Sequence, residues 1–104
     1  MENTVKIKKR YLFFRKEAKK ILRDIFKIKN EQKNLKNIYL DFLQVAFISR
    51  SFSDELLNTI NYLESQGVLV DIINLKPNLK KLINRVEKIK EKIQKETGLG
   101  VVDK

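Results

Sequence analysis

Three observations predict a small α/β fold with a strand–helix–strand–helix core and a helix ahead of it. Residues 38–43 and 68–73 are short, nearly continuous apolar runs, the length of buried strands rather than of helices. The segment after each run repeats its apolar residues at helical spacing. Gly67 and Pro77 stand where a helix should stop and where the next should begin. Two strands joined through a helix call for a parallel crossover, and such units build sheets with helices packed on them. The chain is 104 residues long and 42% hydrophobic, enough for one modest core. No repeat, low-complexity tract or Gly/Ser linker divides it, so residues 1–104 read as one domain.

The elements follow in order. Val5-Lys6-Ile7-Lys8 alternates apolar and basic residues and reads as a short strand. Phe14, Ala18, Ile21, Leu22, Ile25 and Phe26 then share one helical face, and the polar run over residues 30–36 ends that helix. After the first buried strand, a second apolar burst at residues 45–48 runs into a serine-rich turn. There Ser51 is the expected helix cap, with Asp54 three residues on and acidic side chains suited to the helix dipole. Phe52, Leu56, Leu57, Ile60 and Leu63 form the buried stripe, and Gly67 is the expected left-handed stop. Residues 68–73, rich in β-branched side chains, form the second strand. Pro77 and Asn78 open a last helix with Leu79, Leu82, Ile83, Val86, Ile89 and Ile93 on one stripe and an exposed Glu91–Lys95 pair. Gly98 is its expected end, and residues 98–104 read as a frayed tail.

Composition excludes much chemistry. The sequence has no His and no Cys, which removes an imidazole base, a thiolate nucleophile, a disulfide and zinc sites built from those ligands. Its apolar runs are four residues or shorter, against the roughly 20 needed to span a bilayer. The first residues have no apolar core of a signal peptide, so the expected location is the cytoplasm. Charge is uneven within the formal +10. Residues 1–36 carry net +9, residues 37–75 net −4 and residues 76–104 net +5.

The run Leu40-Asp41-Phe42-Leu43-Gln44-Val45-Ala46-Phe47-Ile48-Ser49-Arg50-Ser51-Phe52-Ser53-Asp54-Glu55-Leu56-Leu57 resembles the signature of the STAS-like domain of unknown function. That signature reads "L-D-F", two residues, "V", an apolar pair, a serine-rich turn and "S-F-x-D-E-L". Arg15-Lys16-Glu17-Ala18 is similar to its "R-x-x-A" at the start of the preceding helix. The likeness is strongest over residues 12–90 and implies a small STAS-like sheet. The wider relatives are STAS domains, among them anti-sigma-factor antagonists, whose centre carries a serine phosphorylated by a histidine-kinase-type ATPase. In this sequence that acceptor position falls on Arg50, and the second serine of the pair on Ser51. The resemblance therefore implies a regulatory domain whose serine turn and following helix, residues 49–57, dock a protein partner. By analogy the partner is a histidine-kinase-type ATPase or a transcription regulator.

Ser49, Arg50, Ser51, Ser53, Asp54 and Glu55 are the expected exposed contacts, with Phe52 in the core and Ser51 the candidate phosphosite. The competing account of this turn is purely local, its serines capping orphan amides. A phosphate on Ser51 would gain from the helix N-terminus and Arg50, and Asp54 and Glu55 would repel it. Asp41, Asp54, Glu55 and Asp71 are the acids of the apolar centre. Helix-start and turn roles account for them better than a metal site, so no cofactor is expected and no enzyme. Gly98-Leu99-Gly100 lacks the third glycine and the preceding strand of a dinucleotide fingerprint.

The rival reading is nucleic-acid binding through two lysine-rich helix faces. One carries Lys16, Lys19, Lys20, Arg23 and Lys27, the other Lys80, Lys81, Arg85 and Lys88. Against it, Tyr11, Phe13 and Tyr62 are the only rings expected at the surface, and aromatic residues are not interleaved with the exposed charges. Insertion of the Phe14 stripe into a membrane surface is discounted, because that stripe is needed to cover the sheet.

Overall fold

Five short strands and three helices alternate in the computed structural model, which describes residues 3–101, with side chains as far as Lys92. They are β1 (Thr4–Lys6), β2 (Tyr11–Leu12), α1 (Arg15–Glu31), β3 (Asn37–Asp41), β4 (Phe47–Ile48), α2 (Arg50–Ser65), β5 (Leu69–Ile73) and α3 (Pro77–Val101). The result is an α/β fold with two parallel sheets, β1-β3-β5 and the small β2-β4 ladder.

In the larger sheet β3 is central, with Leu40 between Val5 of β1 and Ile72 of β5, and Ile38 beside Val70. Side chains alternate across a strand, and here the alternation is sharp. Ile38, Leu40 and Val70 are buried, whereas Asn37, Leu69 and Asp71 are exposed. One sheet face therefore supplies the core. α2 packs on β5 and against both α1 and α3, sealing Ala18, Ile21, Ile25, Phe52, Leu56, Leu63, Leu79 and Ile83 inside.

Turn residues end the strands where their chemistry dictates. The Asp41 carboxylate accepts from the Leu43 amide at 2.9 Å and from Asn74 Nδ2 at 2.9 Å. Asn74 sits at φ 58°, a left-handed conformation that Asn tolerates better than most side chains. Asp41 thus ties the end of β3 to the turn after β5, and Asn74 holds its carboxyl below the ordinary carboxylate range, helped by the Leu43 amide. Lys76 Nζ donates to Leu43 O and Val45 O at 2.9 and 2.8 Å, fixing the loop into β4. Gly67 has φ 86° with open space where a Cβ would lie, so the turn requires glycine for its backbone and not for room.

Several expectations need correction. The first strand is Thr4–Lys6 rather than residues 5–8, and it joins the sheet as an edge. Phe14 is the residue before α1, not part of its buried face, and it is exposed. The strand expected at residues 38–43 ends at Asp41, although Phe42 beyond it stays fully buried. α3 runs through Gly98 to Val101; a helical glycine costs only about 1 kcal/mol relative to alanine and need not stop a helix. Of the expected features on α3, the side chains of Ile93 and Lys95 and residues 102–104 lie outside the described residues.

Candidate functional surface at the start of the second helix

β2 and β4 are two residues each, yet they bring the starts of α1 and α2 together. The amides of Ala46 and Phe47 donate to Arg10 O at 2.8 and 3.1 Å, and the Ser49 amide donates to Leu12 O at 2.9 Å. Ser49 then completes the join. Its Oγ donates to Phe13 O at 2.6 Å and accepts from the Phe52 amide at 3.0 Å, capping α2. The cap is therefore Ser49 and not the expected Ser51. Phe14 has no side-chain acceptor for the equivalent place on α1. There the Glu17 amide donates to Phe14 O at 3.0 Å, and the Glu17 carboxylate reaches back to accept from the Phe13 and Phe14 amides just ahead of the helix, both at 3.0 Å.

Charged groups fasten the same region. Arg15 pairs with Asp54 and Glu55, Lys90 of α3 donates to Asp54 at 2.6 Å and to Asn58 at 2.7 Å, and Lys9 pairs with Glu17 at 2.8 Å. The Lys90 hydrogen bond, followed by the Arg15 bond, holds the Asp54 carboxyl below the ordinary range despite partial burial. At Glu17 burial pushes the pKa up, but the Lys9 and backbone hydrogen bonds together outweigh it and the net shift is downward. Asp54 and Glu55 lie beyond the first turn of α2, so cationic partners and not the helix dipole account for them.

The six expected contact residues thus divide. Ser53 is fully buried and donates to Ser49 O at 2.9 Å, which contradicts its expected exposure. Ser49, Asp54 and Glu55 are only partly accessible and are engaged within the chain. Arg50 and Ser51 are exposed, and neither has a side-chain hydrogen-bond partner among the described residues. Phe52 is buried, as the sequence predicts. Asp41, Asp54 and Asp71 occupy separate surroundings, and among the described residues no cluster of three acidic side chains could hold a metal ion.

The lysine faces are exposed as expected, at Lys16, Lys19, Lys20, Arg23 and Lys27 on α1 and at Lys80, Lys81, Arg85 and Lys88 on α3. These helices pack on α2 and make little contact with each other, so they offer two basic flanks instead of one surface.

Sequence reasoning misses a cluster of four rings. Tyr11, Phe13, Phe14 and Phe47 are 53%, 46%, 60% and 44% exposed, yet they touch one another. Phe13 is the hub, with ring centroids 6.2 Å from Tyr11, 6.2 Å from Phe14 and 5.3 Å from Phe47. Lys16 Nζ lies 5.6 Å from the Phe14 centroid. The surface rings therefore include Phe14 and Phe47 as well as the expected Tyr11, Phe13 and Tyr62, and Lys16 lies over one of them. The signal is present in Lys8-Lys9-Arg10-Tyr11-Leu12-Phe13-Phe14-Arg15-Lys16, where a block of rings is flanked by cations on both sides, but periodicity divides that run between a strand and a helix face.

No family model, curated protein or solved structure matches this chain. Among the described residues no helix is long and apolar enough to cross a membrane.

Proposed function

We propose that the chain is a non-enzymatic, STAS-like regulatory domain that docks a protein partner at the start of α2, with Arg50 and Ser51 as its contacts. One observation carries this reading. The helix start is clamped by Ser49, Ser53 and the Arg15–Asp54–Lys90 ion pairs, while Arg50 and Ser51 are exposed on it with no side-chain hydrogen-bond partner among the described residues. A rigid helix end presenting an arginine suits recognition, because Arg is enriched in protein interfaces and its planar fork pairs with carboxylates or phosphates. The motif likeness over residues 40–57 supports the same surface, and the partner it suggests is a histidine-kinase-type ATPase or a transcription regulator. Ser51 is the candidate phosphosite. Asp54, whose charge is offset by two cations, would repel a phosphate there less than the sequence alone suggests.

The test compares the wild-type chain with Arg50→Glu/Ser51→Lys as baits in nuclease-treated lysate of the source cells, read by quantitative mass spectrometry. A protein retained by the wild type, lost by the double variant, and then bound in purified form supports the proposal. Identical recoveries from both baits, with both chains folded by circular dichroism, refute it.

A further inference from the structure

We propose that the ring cluster formed by Tyr11 of β2, Phe47 of β4 and Phe13 and Phe14 just after β2 is a binding platform for single-stranded nucleic acid, an activity separate from protein docking. Four neighbouring rings left about half in water forgo much of the stabilisation that full burial of their side chains would give. Contiguous apolar surface of this kind marks a contact site. The question is what contacts it.

Charge answers first. Between Asn3 and Lys16 there are six cations, Lys6, Lys8, Lys9, Arg10, Arg15 and Lys16, and no acid. Two of these are engaged within the chain, Lys9 with Glu17 and Arg15 with Asp54 and Glu55, which leaves Lys6, Lys8, Arg10 and Lys16 exposed, the last three within three residues of a ring in sequence. Lys19, Lys20 and Arg23 continue the positive surface along α1. A protein-binding hot spot is normally poor in lysine. A groove for single strands is the opposite, with cations tracking phosphates and rings stacking on bases.

Ring geometry answers second. Tyr11 and Phe13, two residues apart, have ring planes only 12° from parallel. Their exposed area can receive base faces, which a duplex conceals in its stack and a single strand presents. The ligand class is therefore a phosphate-linked strand with accessible bases. DNA and RNA share that chemistry, and the experiment separates them.

Fluorescence anisotropy with the full chain would use labelled 12-nucleotide oligo(dT) and oligo(U), a hairpin duplex of equal charge, and a poly-glutamate peptide. At low salt one or both single strands should bind at least tenfold more tightly than the duplex and the peptide. Phe13→Ser, which leaves the net charge unchanged, should weaken single-strand binding about tenfold, as removal of one stacking ring does. Arg10→Gln/Lys16→Gln should flatten the salt dependence, by about 0.7 in log–log slope for each phosphate no longer neutralised. Phe47→Ser supplies a second ring variant should Phe13→Ser fail to fold. Equal binding of duplex and single strand, or ring variants without effect, would reduce the surface to a nonspecific polycation and overturn the platform. Ring-dependent binding of poly-glutamate in preference to oligonucleotides would assign the patch to an acidic protein instead. Absence of binding at low salt ends the proposal, while protein docking through Arg50 and Ser51 would stand.

Discussion

The six phenylalanines of this chain have two fates, and the contrast separates framework from working surface. Phe42 and Phe52 are fully buried, with ring centroids 6.5 Å apart, and Phe26 is half-covered against Tyr62. Phe13, Phe14 and Phe47 gather in one patch with about half their surface in water. Phe52 of the first group and Phe47 of the second lie five residues apart across the start of α2, so proximity does not separate the groups. The buried group belongs to the hydrophobic cluster beneath the helices, whereas the exposed group stands on or just after the β2–β4 ladder, whose other residues, Leu12 and Ile48, are the ones turned into the core. Energy that the first group contributes to folding is left available in the second for a ligand.

The largest expected effect tests that division directly. Phe52→Ala should cost about 3–5 kcal/mol, the range for a large ring removed from a packed core, lowering the thermal midpoint by about 12 °C or more for a domain of this size. Phe47→Ala should cost less than about 1 kcal/mol, because its ring is already half-solvated. Thermal melts of the two variants suffice. Equal losses would mean that the ring patch is an integral part of the core, and the contrast would fail.

A smaller effect concerns the serines. Ser49→Ala should cost about 1–2 kcal/mol, since it removes both the α2 cap and the bond to Phe13 O. Ser51→Ala, at an exposed position with no side-chain hydrogen bond among the described residues, should fall within about 0.5 kcal/mol. Urea melts of the two would decide which serine is framework. The reverse order would restore Ser51 as the cap.

Why the sequence misplaces the cap, yet foresees the helix that follows it, is a matter of range. α2 and β5 each carry a long local pattern, whether apolar spacing from Phe52 to Leu63 or a β-branched run after Gly67, so their existence is legible. The cap depends on where the helix begins to within two residues, and that is fixed by the Ser49 amide reaching Leu12 O, more than 30 residues away in sequence. The β2-β4 ladder is too short to generate any period, so the pairing that gathers the rings leaves no local trace. Phe14 shows the complementary error. Its spacing to Ala18 fits a helical face, but it precedes the helix and periodicity does not govern it. Lysine exposure on α1 and α3 is legible from the same spacing; the position of α2 against both helices is not.

The smallest effect separates the two regions by pH. Asp54 has its pKa lowered by Lys90 and then Arg15, so the folded state holds its charged form more firmly than the unfolded chain does. The resulting stability is present above the unfolded value near 3.8 and is lost as pH falls through the lower folded value. Asp54→Asn should therefore cost about 1 kcal/mol at pH 7, a magnitude limited by solvent screening of a partly exposed pair. The gap to the wild type should close progressively below about pH 4. Arg50 is exposed and has no side-chain hydrogen-bond partner among the described residues, so Arg50→Gln should show only a small offset at pH 3 and at pH 7 alike. Melting temperatures of the three chains at both values give the comparison. A gap for Asp54→Asn that persists unchanged at pH 3 would show that shape rather than charge lets Asp54 hold α2 to α3. The clamp beside the exposed Arg50 and Ser51 would then be steric, and acid would leave it in place.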